Sequence, residues 1–161
     1  MKVENHAMVG VPVAVGIFYV SHSWLFFWVA ILVGIFIDGD HVFDYIREEK
    51  KFNFRHLFIK SYKGDFKKIV LIGHAYEWIA LAWIIGLFFK ESSLPLVFTI
   101  AYLFHMIPDQ IANNIKPWGY FITYRWLKKW KMSEIFYPPK PGRVKAVMEM
   151  EKKHAKAHKK S

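Results

Sequence analysis

Four apolar runs constrain this chain more than any other feature: "AMVGVPVAVGIFYV" (7–20), "WLFFWVAILVGIFI" (24–37), "IVLIGHAYEWIALAWIIGLFF" (69–89) and "LPLVFTIAYLFHMI" (94–107). A helix that crosses a bilayer needs about 20 residues. Only the third run reaches that length by itself. The others reach it when extended into their polar ends, which predicts spans near 3–20, 23–44, 69–89 and 94–115. Short connections at 21–23 and 90–93 make consecutive helices antiparallel. The expected fold is all-α: an integral membrane bundle of four transmembrane helices. The competing reading is a soluble helical protein with unusually buried helices.

The distribution of positive charge favours the membrane. Residues 47–68 carry eight Lys/Arg and residues 110–161 carry thirteen, whereas the first connection has none and the second only Lys90. Cytoplasmic loops are enriched in Lys and Arg. Both termini and the central loop are therefore expected in the cytoplasm, and the chain in the cell's inner membrane. The first segment is expected to be retained, since Glu4 interrupts its basic start and "YVSHS" lacks a small-x-small cleavage pattern. The stretch "WGYFITYRWLKKWK" (118–131) puts Ile122, Trp126, Leu127 and Trp130 on one helical face, with Arg125, Lys128, Lys129 and Lys131 on another. That pattern predicts an amphipathic helix in the cytoplasmic headgroup layer. Three regions follow: a membrane domain over 1–116, the interfacial helix over 117–136, and a linker with a basic tail over 137–161.

With this topology, four polar clusters fall at one membrane face. His6 opens the first span, and Asp38, Asp40, His41 and Asp44 close the second in "GIFIDGDHVFDY". His74 and Glu77 begin the third, and His105 and Asp109 end the fourth. The pairs His74/Glu77 and His105/Asp109 are spaced i,i+3 and i,i+4, which places each on one helix face. Asp38 joins them only if the helix unwinds, which Gly39 makes easier. Pro108 is expected to kink the fourth span beside His105. Each of these residues alone reads as an interfacial or capping group. Together they predict a metal site, because facing helices of a bundle house metals through such pairs. The chain has no Cys, so the ligands must be imidazole and carboxylate. The predicted ligands are His6, Asp38, Asp40, His41, His74, His105 and Asp109, holding a divalent metal, foremost Zn, as one ion or as two or more; Mn also suits such ligands. Glu77 and Asp44 are the candidates for general base or for orienting a ligand. His22, His154 and His158 are set aside, and His56 in the basic loop reads first as a solvated residue.

These residues carry a family resemblance. "NHAMVG", "FIDGDH", "RH" at 55–56, "GHA" at 73–75 and "LFHMIPD" resemble, in this order, motifs of the inner-membrane metal-dependent hydrolases named for YdjM. The likeness covers roughly residues 5–120. In pattern that family is similar to zinc-dependent phospholipases C, which bind a metal cluster through His and Asp and cleave phosphodiesters. The resemblance adds Arg55 and His56 as accessory site residues. This chain departs from the pattern at Ile37, where the family has Pro, and at Ala75, where it has Ser.

No Gly-rich phosphate loop is present and no Ser or Cys nucleophile stands beside a His, so metal-activated water is the expected nucleophile. The expected function is a membrane-bound hydrolase of a phosphate ester or phospholipid-like substrate at the cytoplasmic leaflet. Arg47, Arg55, Lys60, Lys63 and Lys67 would attract an anionic headgroup or set the topology. The expected partners are the bilayer and an anionic lipid-like substrate, with no nucleic acid. The alternative is a non-catalytic metal-binding membrane protein, whether ion carrier, sensor or adaptor.

Overall fold

A computed structural model describes residues 3–88 and 93–139, with positions 142, 145, 146 and 149 beyond, and side chains from Met8 onward except Tyr62. The described elements are helices: α1 (Val3–Ser21), α2 (Trp24–Phe36), α3 (Gly39–Glu49), α4 (Phe54–Lys63), α5 (Glu77–Gly86), α6 (Ser93–Ala112), α7 (Ile122–Leu127) and α8 (Met132–Ile135). Two isolated bridges, Lys68 with Lys131 and Ile115 with Phe136, are the only β pairings among the described residues. Most of the expected basic tail lies outside the described residues.

α1 and α2 form a tight hairpin. His22 turns the chain with a positive φ of 52°, and the Ser23 side chain caps α2 at the Phe26 amide. α6 packs against both, through a small-residue contact of Ala14, Ala30 and Ala101. Small residues there let the helix backbones approach closely. The outward faces stay apolar: Trp24, Trp28, Leu32, Phe36, Phe104 and Ile111 are all more than half exposed.

Among the described residues, two helices are long and apolar enough to cross a membrane, Trp24–Glu49 taken through the α2–α3 break, and Ser93–Ala112. The sequence predicted four. α1 counts from Met8 as a shorter apolar helix, and the third run is helical only over Glu77–Gly86. Its ten residues reach only about 15 Å. The first part of that run leaves the helix because its amides find partners elsewhere. Val70 and Leu71 donate to Asp44 Oδ2 at 2.8 and 2.9 Å, His74 to Asp40 Oδ2 at 3.2 Å, and Ala75 to the Tyr102 hydroxyl at 2.6 Å. Backbone donors that are satisfied in this way do not need the helical ladder.

The predicted second span is interrupted too: α2 ends at Phe36, and Ile37 and Asp38 form a turn before α3 begins. A second core lies on that side of the molecule. Tyr45, Leu57, Phe66, Ile69, Leu71, Tyr102, Met106, Ile115, Tyr120 and Ile135 pack together, with Tyr76 and Phe136 against them. Of residues 117–136, Tyr120, Met132, Ile135 and Phe136 pack into this second core, which forms a cap beside the helical hairpin. α7 is only six residues long, and Arg125, expected on its solvent face, is fully buried. Trp126 and Leu127 do project outward, at 67% and 70% exposure.

Candidate metal centre

α6 presents His105 and Asp109 one turn apart on its buried face. Pro108 sits between them without ending the helix, and the Phe104 carbonyl loses its usual donor there. The α2–α3 turn supplies Asp38, and the irregular 64–76 segment supplies His74. Gly73 permits this approach. A Cβ there would stand 3.0 Å from the Ile37 carbonyl and 3.2 Å from Asp40 Oδ2.

Four ligand atoms then face a common point. The Nε2 atoms of His74 and His105 lie 3.1 Å apart. Asp38 Oδ1 is 3.4 Å from His74 Nε2 and 3.7 Å from His105 Nε2, and Asp109 Oδ2 is 3.4 Å from His74 Nε2. All four ligand atoms fall within 4.8 Å of one another. Bonds of about 2.0–2.2 Å to a tetrahedral ion require ligand separations of roughly 3.3–3.6 Å. The observed edges bracket that range. His74 and Asp109 are fully buried, His105 is 2% exposed, and Asp38 is the member that borders the surface.

The outer nitrogens fix the inner ones. His74 Nδ1 sits 2.8 Å from Asp40 Oδ2, and His105 Nδ1 sits 3.0 Å from the Gly34 carbonyl. A carbonyl or carboxylate can only accept, so both Nδ1 atoms carry the proton and donate it. Each Nε2 is then the nitrogen that takes either a second proton or a metal. Two lone pairs pointed at each other across 3.1 Å repel unless a proton or a cation lies between them. A carboxylate or carbonyl behind each ligating His is also the usual orienting arrangement of metal centres.

Electrostatics agree. Burial alone would lower the His74 pKa, but Asp40, Asp109 and Asp38 raise it well above the ordinary imidazole value. The protein thus gathers negative potential around a nitrogen that can bind either a proton or a metal. Tyr120 stacks on His74 at 5.8 Å between ring centres, and burial followed by Asp109 pushes its phenol pKa well up, keeping it neutral.

The predicted ligands separate into groups. Asp38, His74, His105 and Asp109 form the four-atom set. Asp40, His41 and His74 form a second set, in which His41 lies 3.8 Å from Asp38 Oδ1 and is 28% exposed. His74 belongs to both. Its Nε2 serves the first set and its Nδ1 is bonded to Asp40, so Asp40 braces the ring from behind. The His6 side chain lies outside the described residues.

Both candidate bases are placed elsewhere. Asp44 binds the Val70 and Leu71 amides through Oδ2 and Arg47 through Oδ1 at 3.0 Å. Glu77 accepts from the Thr123 amide and hydroxyl, both at 3.0 Å, at the start of α7. Neither carboxylate is in the four-atom set. The expected i,i+3 pairing of His74 with Glu77 fails because His74 precedes the helix. His56 joins Tyr45 through a 3.0 Å hydrogen bond, and Arg55 is exposed, so neither enters the site.

Sequence reasoning missed three neighbours: Tyr120, Tyr102 and Arg125. Tyr102 holds the 73–75 turn, accepting from the Ala75 amide and reaching the Gly73 carbonyl at 2.7 Å. Among the described residues, none of the three buried guanidinium nitrogens of Arg125 finds a hydrogen-bond partner. Burial lowers its pKa, while Asp40 and Glu77 oppose that shift. No periodicity or motif announces these roles.

No protein-family model, curated protein or solved structure matches the chain.

Proposed function

We propose that this chain is a membrane-bound, metal-dependent hydrolase of a phosphate ester or phospholipid-like substrate, with the ion held by Asp38, His74, His105 and Asp109. The observation that carries the reading is the convergence of the His74 and His105 Nε2 atoms, 3.1 Å apart, with oxygens of Asp38 and Asp109, while each Nδ1 is held from behind by Asp40 or the Gly34 carbonyl. Two imidazoles and two carboxylates, with no thiolate, suit Zn and also Mn. A divalent ion there would lower the pKa of a water to about 7 and polarise an ester oxygen. The four protein ligands alone complete a tetrahedron, the pattern of a closed site. Reaction therefore requires one ligand to yield or a fifth position to open, and Asp38, with its side chain 13% exposed, borders the open side. Asp40 and His41 flank that side, and they are better placed than Glu77 or Asp44 to move a proton.

The membrane reading is supported by where the apolar surface lies. Only 11% of the apolar stretch in Trp24–Glu49 is buried within the protein, which supports a lipid-facing helix over the core helix of a soluble bundle. The Lys/Arg distribution supports cytoplasmic termini in the inner membrane, and α1 and α5 would then lie in the bilayer with the two longer helices. The resemblance to the YdjM-like hydrolases supports the reaction class, and the anionic substrate follows from the basic 47–68 region.

The test is metal analysis of the purified protein, followed by assays on phosphodiester and phosphomonoester lipids in micelles with Zn and with Mn. Bound metal near one ion per chain and metal-dependent turnover are expected. Metal-replete protein inactive on every ester would favour the carrier, sensor or adaptor reading. Absence of metal binding would sink all readings built on the site.

A further inference from the structure

An unusual surface follows α3. Every residue from Lys50 to His56 is exposed, and within that run Phe52 and Phe54 alternate with Lys50, Lys51 and Arg55. Phe52, Phe54 and Phe58 are 59%, 65% and 46% exposed, and the rings of Phe54 and Phe58 lie 4.9 Å apart. Hydrophobic surface of this kind, rimmed by charge, marks an interaction site.

The presentation is rigid. Asn53 caps α4 by accepting from the His56 amide, and α4 buries Leu57 and Lys60 on its inner side. Lys60 bonds Glu48 at 2.8 Å and Glu49 as well, and the Tyr45 hydroxyl bonds His56. Burial works against the Lys60 ammonium, but the two glutamates more than offset it and raise its pKa. α4 is thereby clamped to the end of α3 with its phenylalanines outward.

Position and charge identify the occupant. Trp24–Glu49 holds 26 residues, at most about 39 Å of helix, against a hydrocarbon thickness of about 30 Å. Its last turns, and α4 clamped to them, must stand at the headgroup layer. The chain carries a formal charge of +10, so a second copy would bring like charge to Lys50, Lys51 and Arg55. An anionic bilayer surface complements them.

We propose that residues 50–58 form an interfacial foot, in which Phe52, Phe54 and Phe58 enter the boundary of headgroups and acyl chains while Lys50, Lys51 and Arg55 hold anionic headgroups. This rests on the reading of Trp24–Glu49 as a membrane span.

The chain has no Cys, so single-site spin labels report unambiguously. Labels would be placed at Phe54→Cys and Phe58→Cys, with Leu32→Cys as the reference within α2, in full-length protein reconstituted in phosphatidylcholine vesicles with and without phosphatidylglycerol. Collision with oxygen should exceed collision with a polar nickel chelate at 54 and 58, as at 32, and the difference should grow with phosphatidylglycerol. Replacing Lys50, Lys51 and Arg55 by Glu should remove that growth. Water-exposed labels at 54 and 58 beside a lipid-exposed label at 32 would overturn the foot while leaving the span intact. A water-exposed label at 32 would overturn the span and the foot with it. Spin–spin broadening between copies at 54 would identify a dimer face and overturn the lipid assignment.

Discussion

Two sets of carboxylates lie close together in this protein and behave differently. Asp38 and Asp109 direct an oxygen at the imidazole nitrogens of His74 and His105. Asp44 and Glu77 direct theirs at backbone amides, of Val70 and Leu71 in one case and Thr123 in the other. All four arise from the same kind of sequence signal, an acidic residue in or beside an apolar run. What separates them is the nearest unsatisfied donor. Where a chain segment passes without its own hydrogen-bond partners, a buried carboxylate becomes a brace, because an orphaned amide costs about 1–3 kcal/mol. Where imidazole nitrogens face it, as at Asp38 and Asp109, it becomes a candidate ligand.

Removing a member of the ligand set tests that division most severely. His105→Ala should abolish stoichiometric metal binding, with an affinity loss of at least about 100-fold, since even supporting groups of a metal site are worth 10–100-fold. Metal content by mass spectrometry after gel filtration checks this. Retention of one tightly held ion would place the site elsewhere and dissolve the distinction between the two sets.

Asp44→Ala probes the brace. It strips partners from two amides, each buried donor left unpaired costing about 1–3 kcal/mol, and from the partly exposed Arg47. Melting in detergent should fall steeply, while any protein that remains folded keeps its metal. Equal loss of metal and stability would mean the 69–76 segment cannot hold His74 without this carboxylate, and the two sets would merge into one.

Much of this architecture was legible in the sequence. The i,i+4 spacing placed His105 and Asp109 together on what proves to be the buried face of α6. Gly39 hinted at the break that lets Asp38 turn inward. The 69–76 segment was not legible, because "IVLIGHAY" has the same hydropathy as a buried irregular strand of chain as it has as a helix. Its partners, Asp44, Asp40 and Tyr102, lie 26 to 34 positions away. The burial of Arg125 was hidden for a related reason. A helical wheel drawn on 118–131 assumes an isolated amphipathic helix, but α7 spans six residues and is packed into the cap.

Asp40 stands between the two sets, since it braces the His74 amide and orients the His74 ring. Asp40→Asn should weaken metal binding about 10–100-fold without abolishing it. It should also change the pH dependence in a definite direction. Asp40 helps to hold the His74 pKa above its ordinary value, so metal must displace a proton, and affinity rises with pH until that pKa is passed. Removing the charge lowers the pKa, so affinity should level off at a lower pH than in the wild type. Calorimetric titration across a pH series reads both effects. An unchanged plateau position would show that Asp40 acts on geometry alone.

The smallest effect belongs to Glu77→Gln. If Glu77 were the general base, this change would remove turnover and spare the metal. In the structure its Oε1 accepts from the Thr123 amide and hydroxyl, and a glutamine oxygen can keep both bonds. What is lost is charge. A charge-assisted bond at a helix start exceeds a neutral one by about 1 kcal/mol, and the opposing charge that Glu77 offers to buried Arg125 disappears as well. A small drop in melting temperature is therefore expected, with metal content and turnover on any ester near the wild-type values. Loss of turnover with metal retained would return Glu77 to the chemistry and require α7 to release it during reaction. That outcome would make the Thr123 contacts one state of a moving carboxylate, and the boundary between brace and catalyst would then depend on conformation, not on position in the fold.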